Sequence, residues 1–397
     1  MISEKMKPYV KNNSAIRMMF EEGNRLRAKY GADKVFDFSL GNPSVPAPDS
    51  VREAIIELVN TTDPTVLHGY MSNAGFEDVR QTIAESLNRR FDTKFSAKNL
   101  IMTIGAASGL NVILKTILNP GEEVIVFAPY FLEYGAYVRN YDGVLVEVSP
   151  DTTTFQPNLA EFEQRITPKT RAVIVNTPHN PTGVVYSEET IKKLSAILEA
   201  KQKEFGTVIY LISDEPYREL AYDGVEVPYL TKYYNNTVVG YSYSKSLSLP
   251  GERIGYVAVN PTCTDADLLV PMMSQISRGI GHNCPSSLIM MGVEDVLDET
   301  SDMTVYETNM NLLYDKLIEL GFSCVRPSGT FYIFPKALEE DAVAFCNKAL
   351  KYDLVLVPSD SFGCPGYFRM AYCIDTEKVV RSLDALERFV KTEYPDR

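Results

Sequence analysis

Between residues 49 and 260 the chain alternates short apolar runs with amphipathic stretches of helical length. The apolar runs are 100–104, 123–127, 144–148, 172–176, 208–213, 237–241 and 255–260. Helical spacing marks 51–60, 76–91, 109–118 and 187–203. The runs read as short strands buried on both faces, so helices must cover the sheet above and below. This order predicts an α/β fold with a large, mostly parallel, doubly wound sheet. Ligands of such sheets bind at the carboxyl ends of the strands. The residues that follow each apolar run are therefore the ones to read for chemistry.

The C-terminal part has a different rhythm. A long helical region is expected over about 285–320, short strands at 322–325, 331–335, 354–357 and 367–372, and a last helix from about Thr376. A further helix is expected over 13–30, with Ile16, Met19, Phe20 and Leu26 on its apolar face, followed by a stiff crossing at Pro43, Pro46 and Pro48. These elements predict a smaller α+β domain made of residues 1–45 and 291–397, beside a large domain of residues 46–290. A chain of 397 residues is long enough for both.

Composition removes several classes of function. No window approaches eighteen consecutive apolar residues, and the first residues, Met1 to Pro8, hold no apolar core of signal-peptide length. The expectation is a cytoplasmic protein without a membrane partner. A net charge of −13 argues against nucleic acid. Six cysteines without a Cys-x-x-Cys pair, and three histidines, predict reduced thiols and no zinc site.

The run Thr237 to Tyr241 delivers Ser242-Tyr243-Ser244-Lys245, and Arg253 follows eight residues after the lysine. One amine can form a Schiff base, while a serine and an arginine can hold a phosphate dianion; that set suits a pyridoxal phosphate carried on lysine. After the run 208–213 comes Asp214-Glu215-Pro216-Tyr217. A buried carboxylate there can keep a pyridine nitrogen protonated, and Tyr217 can reach the ring's phenolic oxygen; an aspartate at such a point also serves as a helix N-cap. Asn180-Pro181-Thr182-Gly183 follows the run 172–176, and Asn180 can donate to the same phenolic oxygen, although Asn-Pro-x-Gly is also a plain turn signal. Gly105-Ala106-Ala107 joins a strand to a helix, where small residues let backbone N–H groups approach a phosphate. Tyr130, after the run 123–127, offers an aromatic face for a pyridine ring or for ordinary packing.

Gly41-x-Pro43, Tyr70, Gly105-Ala106-Ala107, Tyr130, Asn180-Pro181-x-Gly183, Asp214-x-x-Tyr217, Ser242-x-x-Lys245, Arg253 and Arg369 together resemble the aspartate aminotransferase family, class I, of fold-type I. They fall in the family's order over nearly the whole chain. The resemblance implies pyridoxal 5'-phosphate bound covalently to Lys245, with Asp214 on the pyridine nitrogen, Asn180 and Tyr217 on the phenolic oxygen and Tyr130 stacked on the ring. It implies phosphate held by Ser242, Arg253, the backbone of Gly105–Ala107 and Tyr70 of a neighbouring subunit, in a homodimer with shared sites. Gly41 and Arg369 would meet the substrate, Arg369 as a fork for its α-carboxylate. Two positions depart from the family pattern. Ala107 stands where many relatives place a hydroxyl, and Tyr130 where some have tryptophan.

Arg278, shortly before Asn283-Cys284-Pro285, bears on the substrate. In one branch of the family an arginine at this position crosses the dimer interface and grips the distal carboxylate; it can equally be a surface ion pair. The expected function is transamination between an acidic amino acid, aspartate first, and 2-oxoglutarate, with amino acids and 2-oxo acids as small-molecule partners. The rivals are a carbon–sulfur β-lyase or a broad-specificity aminotransferase of the same fold. A cofactor-sensing regulator is disfavoured, since such proteins carry a basic DNA-binding domain ahead of the fold and the motifs here begin at Gly41.

Overall fold

The computed structural model describes residues 15–395 together with Glu4 and Lys7. A helix spans Ala15–Tyr30; the first two residues of its predicted span, Asn13 and Ser14, lie outside the described residues. Twelve strands follow among the described residues. These are β1 (Phe36–Asp37), β2 (Leu100–Thr103), β3 (Glu123–Phe127), β4 (Val144–Val148), β5 (Thr170–Asn176), β6 (Tyr210–Asp214), β7 (Thr237–Ser242), β8 (Gly255–Val259), β9 (Tyr332–Ile333), β10 (Leu354–Val355), β11 (Val357–Pro358) and β12 (Phe368–Ala371).

Seven of them form one sheet in the order β2-β8-β7-β6-β5-β3-β4. Strands β3 to β7 pair in parallel, whereas β8 runs antiparallel to both β7 and β2. The carboxyl ends of β2, β3, β5, β6 and β7 therefore share one edge with the amino end of β8. Helices seal both faces. Ala106–Ile117 packs Leu110, Ile113 and Leu114 against one side with Val124, Val126 and Ile174. Glu188–Phe205 covers the other with Ile191, Leu194 and Leu198 against Ile125, Val173 and Leu211. The central runs are buried on both faces, as their unbroken apolar character requires, whereas the edge strand β4 leaves Val144 and Glu147 exposed.

The smaller layer is built from β1 paired in parallel with β10, and from the antiparallel set β11-β12-β9. Its core joins Leu313 and Leu317 of the helix Thr304–Glu319, Phe345 of Ala342–Ala349, and Leu386 and Phe389 of Thr376–Glu393. Phe36 and Phe38 from the N-terminal segment complete it.

Two expectations for this part do not hold. Residues 322–325 form no strand: the Phe322 N–H instead closes the preceding helix on the Leu317 carbonyl (3.0 Å). The predicted 285–320 helix is broken into Ser287–Gly292, a 3-10 turn at Glu294–Val296 and Thr304–Glu319. The intervening Asp298-Glu299-Thr300-Ser301-Asp302 competes for backbone groups, and the Ser301 N–H donates to the Ser246 carbonyl (2.8 Å) instead of continuing a helix.

Gly255 opens β8 where the sheet meets the candidate site. A Cβ there would sit 2.2 Å from the Tyr241 carbonyl oxygen, whereas one on Gly251 meets nothing within 4 Å. Gly255→Ala should therefore destabilise the fold by roughly 1–3 kcal/mol, and Gly251→Ala should stay within about 0.5 kcal/mol of the parent. Paired denaturant melts of the two variants test this.

Candidate active site

A cavity of about 470 Å³ opens at the shared strand edge, within the roughly 300–1,000 Å³ typical of small-molecule sites. Gly41, Ala106, Ala107, Asn180, Asp214, Tyr217, Ser242, Lys245, Arg253 and Arg369 all line it. The parallel strands collect these residues from points far apart in sequence. Asp214 ends β6, Asn180 lies in the turn after β5, and Ser242 ends β7.

Lys245 lies in a single helical turn, Tyr243–Ser246, capped by the Ser242 hydroxyl. Its Nζ donates to the Gly41 carbonyl (2.7 Å) and stands 5.3 Å from the Phe331 ring centre. Burial lowers the amine to about 8; the Cys373 thiol opposes this, and the Arg253 and Arg369 charges add to it. A lysine so poised is available as a neutral nucleophile near neutrality. A Cβ on Gly41 would overlap the Tyr332 hydroxyl at 2.0 Å, so only glycine brings this carbonyl to the amine.

Asp214 is buried, with Oδ2 accepting from the Tyr134 hydroxyl (2.5 Å) and Oδ1 left without a partner. Burial raises its carboxyl to about 7, while the Tyr134 hydrogen bond pulls it down and the neighbouring Glu215 pushes it up. A buried carboxylate oxygen facing a cavity unpaired is a place for a cationic or N–H partner. The Tyr217 hydroxyl meets the Tyr332 hydroxyl at 3.0 Å. Asn180 is held through its N–H by the Asn176 side chain (2.7 Å). The turn that carries it is braced by the buried His179, whose Nδ1 lies 2.7 Å from the Thr182 hydroxyl and whose burial lowers its pKa to about 3.

Gly105 has φ +87° and starts the helix Ala106–Ile117; a Cβ on it would lie 2.6 Å from Arg253 Nη2. Arg253, just ahead of β8, also donates to the Pro250 carbonyl (2.8 Å). The Ser242 and Ser244 hydroxyls sit 2.8 Å apart beside it. A twelve-residue helix N-terminus, a guanidinium and hydroxyls in one corner form an anion cradle. Arg369 closes the opposite side. It is 1% exposed, donates to the Ser39 carbonyl (2.7 Å) and to Asn180 Oδ1 (3.1 Å), stacks on Tyr332, and leaves Nε without a partner.

Tyr130 departs from the expectation. Its ring belongs to the core packing and its hydroxyl donates to Glu147 (2.6 Å), so it does not line the cavity. Its neighbour Phe131 does, together with Tyr137. The apolar run before Pro129 predicts an aromatic in this wall without saying which of two consecutive rings turns inward. Tyr134 beneath Asp214 was likewise not foreseen, because no local pattern announces a contact across 80 residues. Tyr70 and Arg278 lie outside this cavity as well. Tyr70 is fully exposed, Arg278 is exposed near the end of the helix Ala266–Gly279, and both line a separate surface cleft of about 600 Å³.

The family model for aminotransferases of class I and II matches residues 33–386. The putative aminotransferase YugH of Bacillus subtilis is 32% identical over 90% of this chain and 92% of its own. An aminotransferase of Eubacterium rectale superposes with a TM-score of 0.96 at 46% identity, over 99% of both chains. The aspartate aminotransferase of Thermus thermophilus with maleate superposes at 0.87 with 26% identity, over 98% of this chain and 99% of that one. Relatives at 28–29% identity include an aspartate aminotransferase of Geobacillus stearothermophilus, a probable N-acetyl-LL-diaminopimelate aminotransferase of Bacillus subtilis and an aromatic-amino-acid aminotransferase of Thermococcus litoralis. With its large mostly parallel sheet and smaller α+β layer, the protein has the fold-type I architecture and belongs to the class I and II aminotransferases, enzymes that depend on pyridoxal 5'-phosphate.

Proposed function

We propose that this aminotransferase exchanges the amino group between an acidic amino acid, aspartate first, and 2-oxoglutarate. The observation that carries the reading is the pairing, in one cavity, of a depressed lysine amine with a buried guanidinium that has no carboxylate partner among the described residues. A second cation, Arg278, supports the choice of an acidic side chain. Residues 46–290 form the cofactor-binding domain in this reading, and residues 1–45 with 291–397 the smaller one.

The site fits the cofactor on two counts. Asp214 Oδ1 is an unpaired buried acceptor, and the Gly105–Arg253 corner has room only while residue 105 lacks a Cβ. Lys245 would hold the cofactor covalently, and Asp214 would sit on its ring nitrogen. Asn180 and Tyr217 would bind its phenolic oxygen, Phe131 its ring face, and Ser242, Arg253 and the N–H groups at Ala106 and Ala107 its phosphate. When bound, the cofactor supplies an electron sink for the bond broken at the substrate Cα. Arg369 fixes the α-carboxylate through its free Nε and a fork of N–H donors. Lys245, once its amine is free, takes the Cα proton as a general base and returns it as an acid; a pKa near 8 suits both tasks.

Tyr70 and Arg278 share a cleft with no lining residue in common with the Lys245 cavity. Exposed apolar side chains on the nearby segments, Val66 and Met272 among them, favour burial of this surface against a second copy. We place Tyr70 and Arg278 in the partner's site, Tyr70 on phosphate and Arg278 on the distal carboxylate. The six unpaired thiols are consistent with a cytoplasmic protein. A broad-specificity aminotransferase is the second reading, favoured by the apolar Phe20, Leu40 and Phe131 in the cavity wall.

A screen of single amino acids by the cofactor's visible absorbance tests the assignment: aspartate or glutamate should convert fastest, and a faster aromatic substrate would favour the second reading. Lys245→Ala should bind the cofactor without covalent fixation by borohydride, read by mass spectrometry, and lose at least ~10³-fold in rate. Arg278→Ala should lower kcat/KM for aspartate by on the order of 10²-fold and leave alanine far less affected. Mixing Lys245→Ala with a Tyr70→Phe/Arg278→Ala chain should raise aspartate turnover above that of either chain alone.

Asp214 makes the cofactor-free protein sensitive to pH. Its folded value of about 7 exceeds the ordinary 3.8, so the folded protein holds a proton that the unfolded chain releases. That stabilisation is present below about pH 4 and is lost as pH rises through 7. Denaturant melts of the cofactor-free protein should show this fall, and Asp214→Asn should flatten it.

A further inference from the structure

Four cationic side chains line the Lys245 cavity: Arg17, Lys245, Arg253 and Arg369, against the acids Asp214 and Glu133. The functional reading assigns three of the four and leaves Arg17. It stands in the first turns of the helix Ala15–Tyr30, at the cavity mouth, with Ile16 and Phe20 of the same helix in the wall. Its ion-pair partner is Glu21, one turn along the helix at 3.1 Å, with both side chains mostly exposed (76% and 64%). Such a pair is worth at most about 1 kcal/mol and is readily exchanged.

The helix that carries Arg17 is tied to the residue that seats Arg369. Arg27, near the helix end, donates to Asp37 Oδ2 (2.7 Å). The other oxygen of Asp37 accepts from the Ser39 N–H (2.9 Å) and hydroxyl (2.6 Å), and the Ser39 carbonyl accepts from Arg369 (2.7 Å). Gly23 lets the helix approach, since a Cβ there would lie 2.5 Å from Asp37 Oδ2. One carboxylate thus fixes both the helix and the buried guanidinium, so Arg17 and Arg369 face the same cavity from a common support.

We infer that Arg17 is a specificity-determining residue that receives the distal carboxylate of an acidic substrate from within the same chain, additional to Arg278 of the partner subunit. This rests on the aminotransferase reading above and deepens it. A dicarboxylate bridges Arg369 and Arg17, exchanging the exposed Glu21 contact for a substrate contact, while a monocarboxylate engages Arg369 alone.

Calorimetric binding of succinate and propionate to the cofactor-loaded protein separates the two cases without turnover. The parent should bind succinate more tightly than propionate. Arg17→Ala should weaken succinate on the order of 10-fold, as expected for one charge-assisted contact, and leave propionate within about 2-fold. Arg17→Lys should recover part of the loss, and KM for aspartate should rise in Arg17→Ala with KM for alanine unchanged. The inference is overturned if Arg17→Ala weakens both ligands equally or neither, including the case in which Arg278→Ala alone removes the succinate preference. Those outcomes leave the aminotransferase reading intact. A parent protein that converts no acidic amino acid would instead sink the proposed substrate, whatever the Arg17 variants show.

Discussion

Arg369 is a buried guanidinium whose hydrogen-bond acceptors among the described residues are all neutral. It reaches from β12 of the smaller layer to the Asn180 amide of the large one and to the Ser39 carbonyl of the N-terminal segment. A charge so placed is costly to desolvate and gains little from neutral acceptors alone. What makes the arrangement sensible is a ligand that brings the missing negative charge. The Tyr332 ring beneath it and the Asp37–Ser39 link beside it serve to keep that fork aimed at the cavity. Three separate parts of the chain therefore converge on one unsatisfied cation, and the two layers meet there.

The direction of the strands does the rest. Because β2 to β7 of the large sheet point one way, five loops deliver side chains to a single edge. Strand β8 is the exception and matters for that reason. It begins where the others end, with Gly255 opposite Ser242 in the ladder. Arg253, which precedes β8, is thereby brought against Gly105, which follows β2. A parallel β8 would have carried the arginine to the far edge, about 17 Å away for a five-residue strand. The anion cradle at Gly105 and Arg253 is thus a product of one reversed strand.

The electrostatics of the site follow from burial more than from charge pairing. Burial is the main cause of the Lys245 amine falling to about 8 and of the Asp214 carboxyl rising to about 7. Both move toward the range in which they can exchange protons or partners at neutral pH. Tyr134 and Tyr217, buried nearby, are driven the other way and stay protonated donors.

The amino-acid sequence by itself determined the large sheet, because strands buried on both faces need unbroken apolar runs and these are visible one by one. It also determined most of the cavity, since a parallel sheet places whatever follows each run at one edge; Lys245, Asp214, Asn180 and Ser242 were legible for this reason, and Arg253 through its spacing from Lys245. Boundaries and short strands of the smaller layer were less so: two-residue strands carry almost no periodicity, and the polar 298–302 stretch interrupts a helix through a contact with Ser246 that no local pattern contains. Only the tertiary structure decided which of Tyr130 and Phe131 faces the cavity, because that depends on whether a hydroxyl finds Glu147 across the sheet. It alone set Tyr134 under Asp214, gathered Tyr70 and Arg278 into a cleft apart from Lys245, and brought Arg17 to the cavity mouth. Those are contacts between segments far apart in the chain, and their geometry is fixed by packing rather than by spacing.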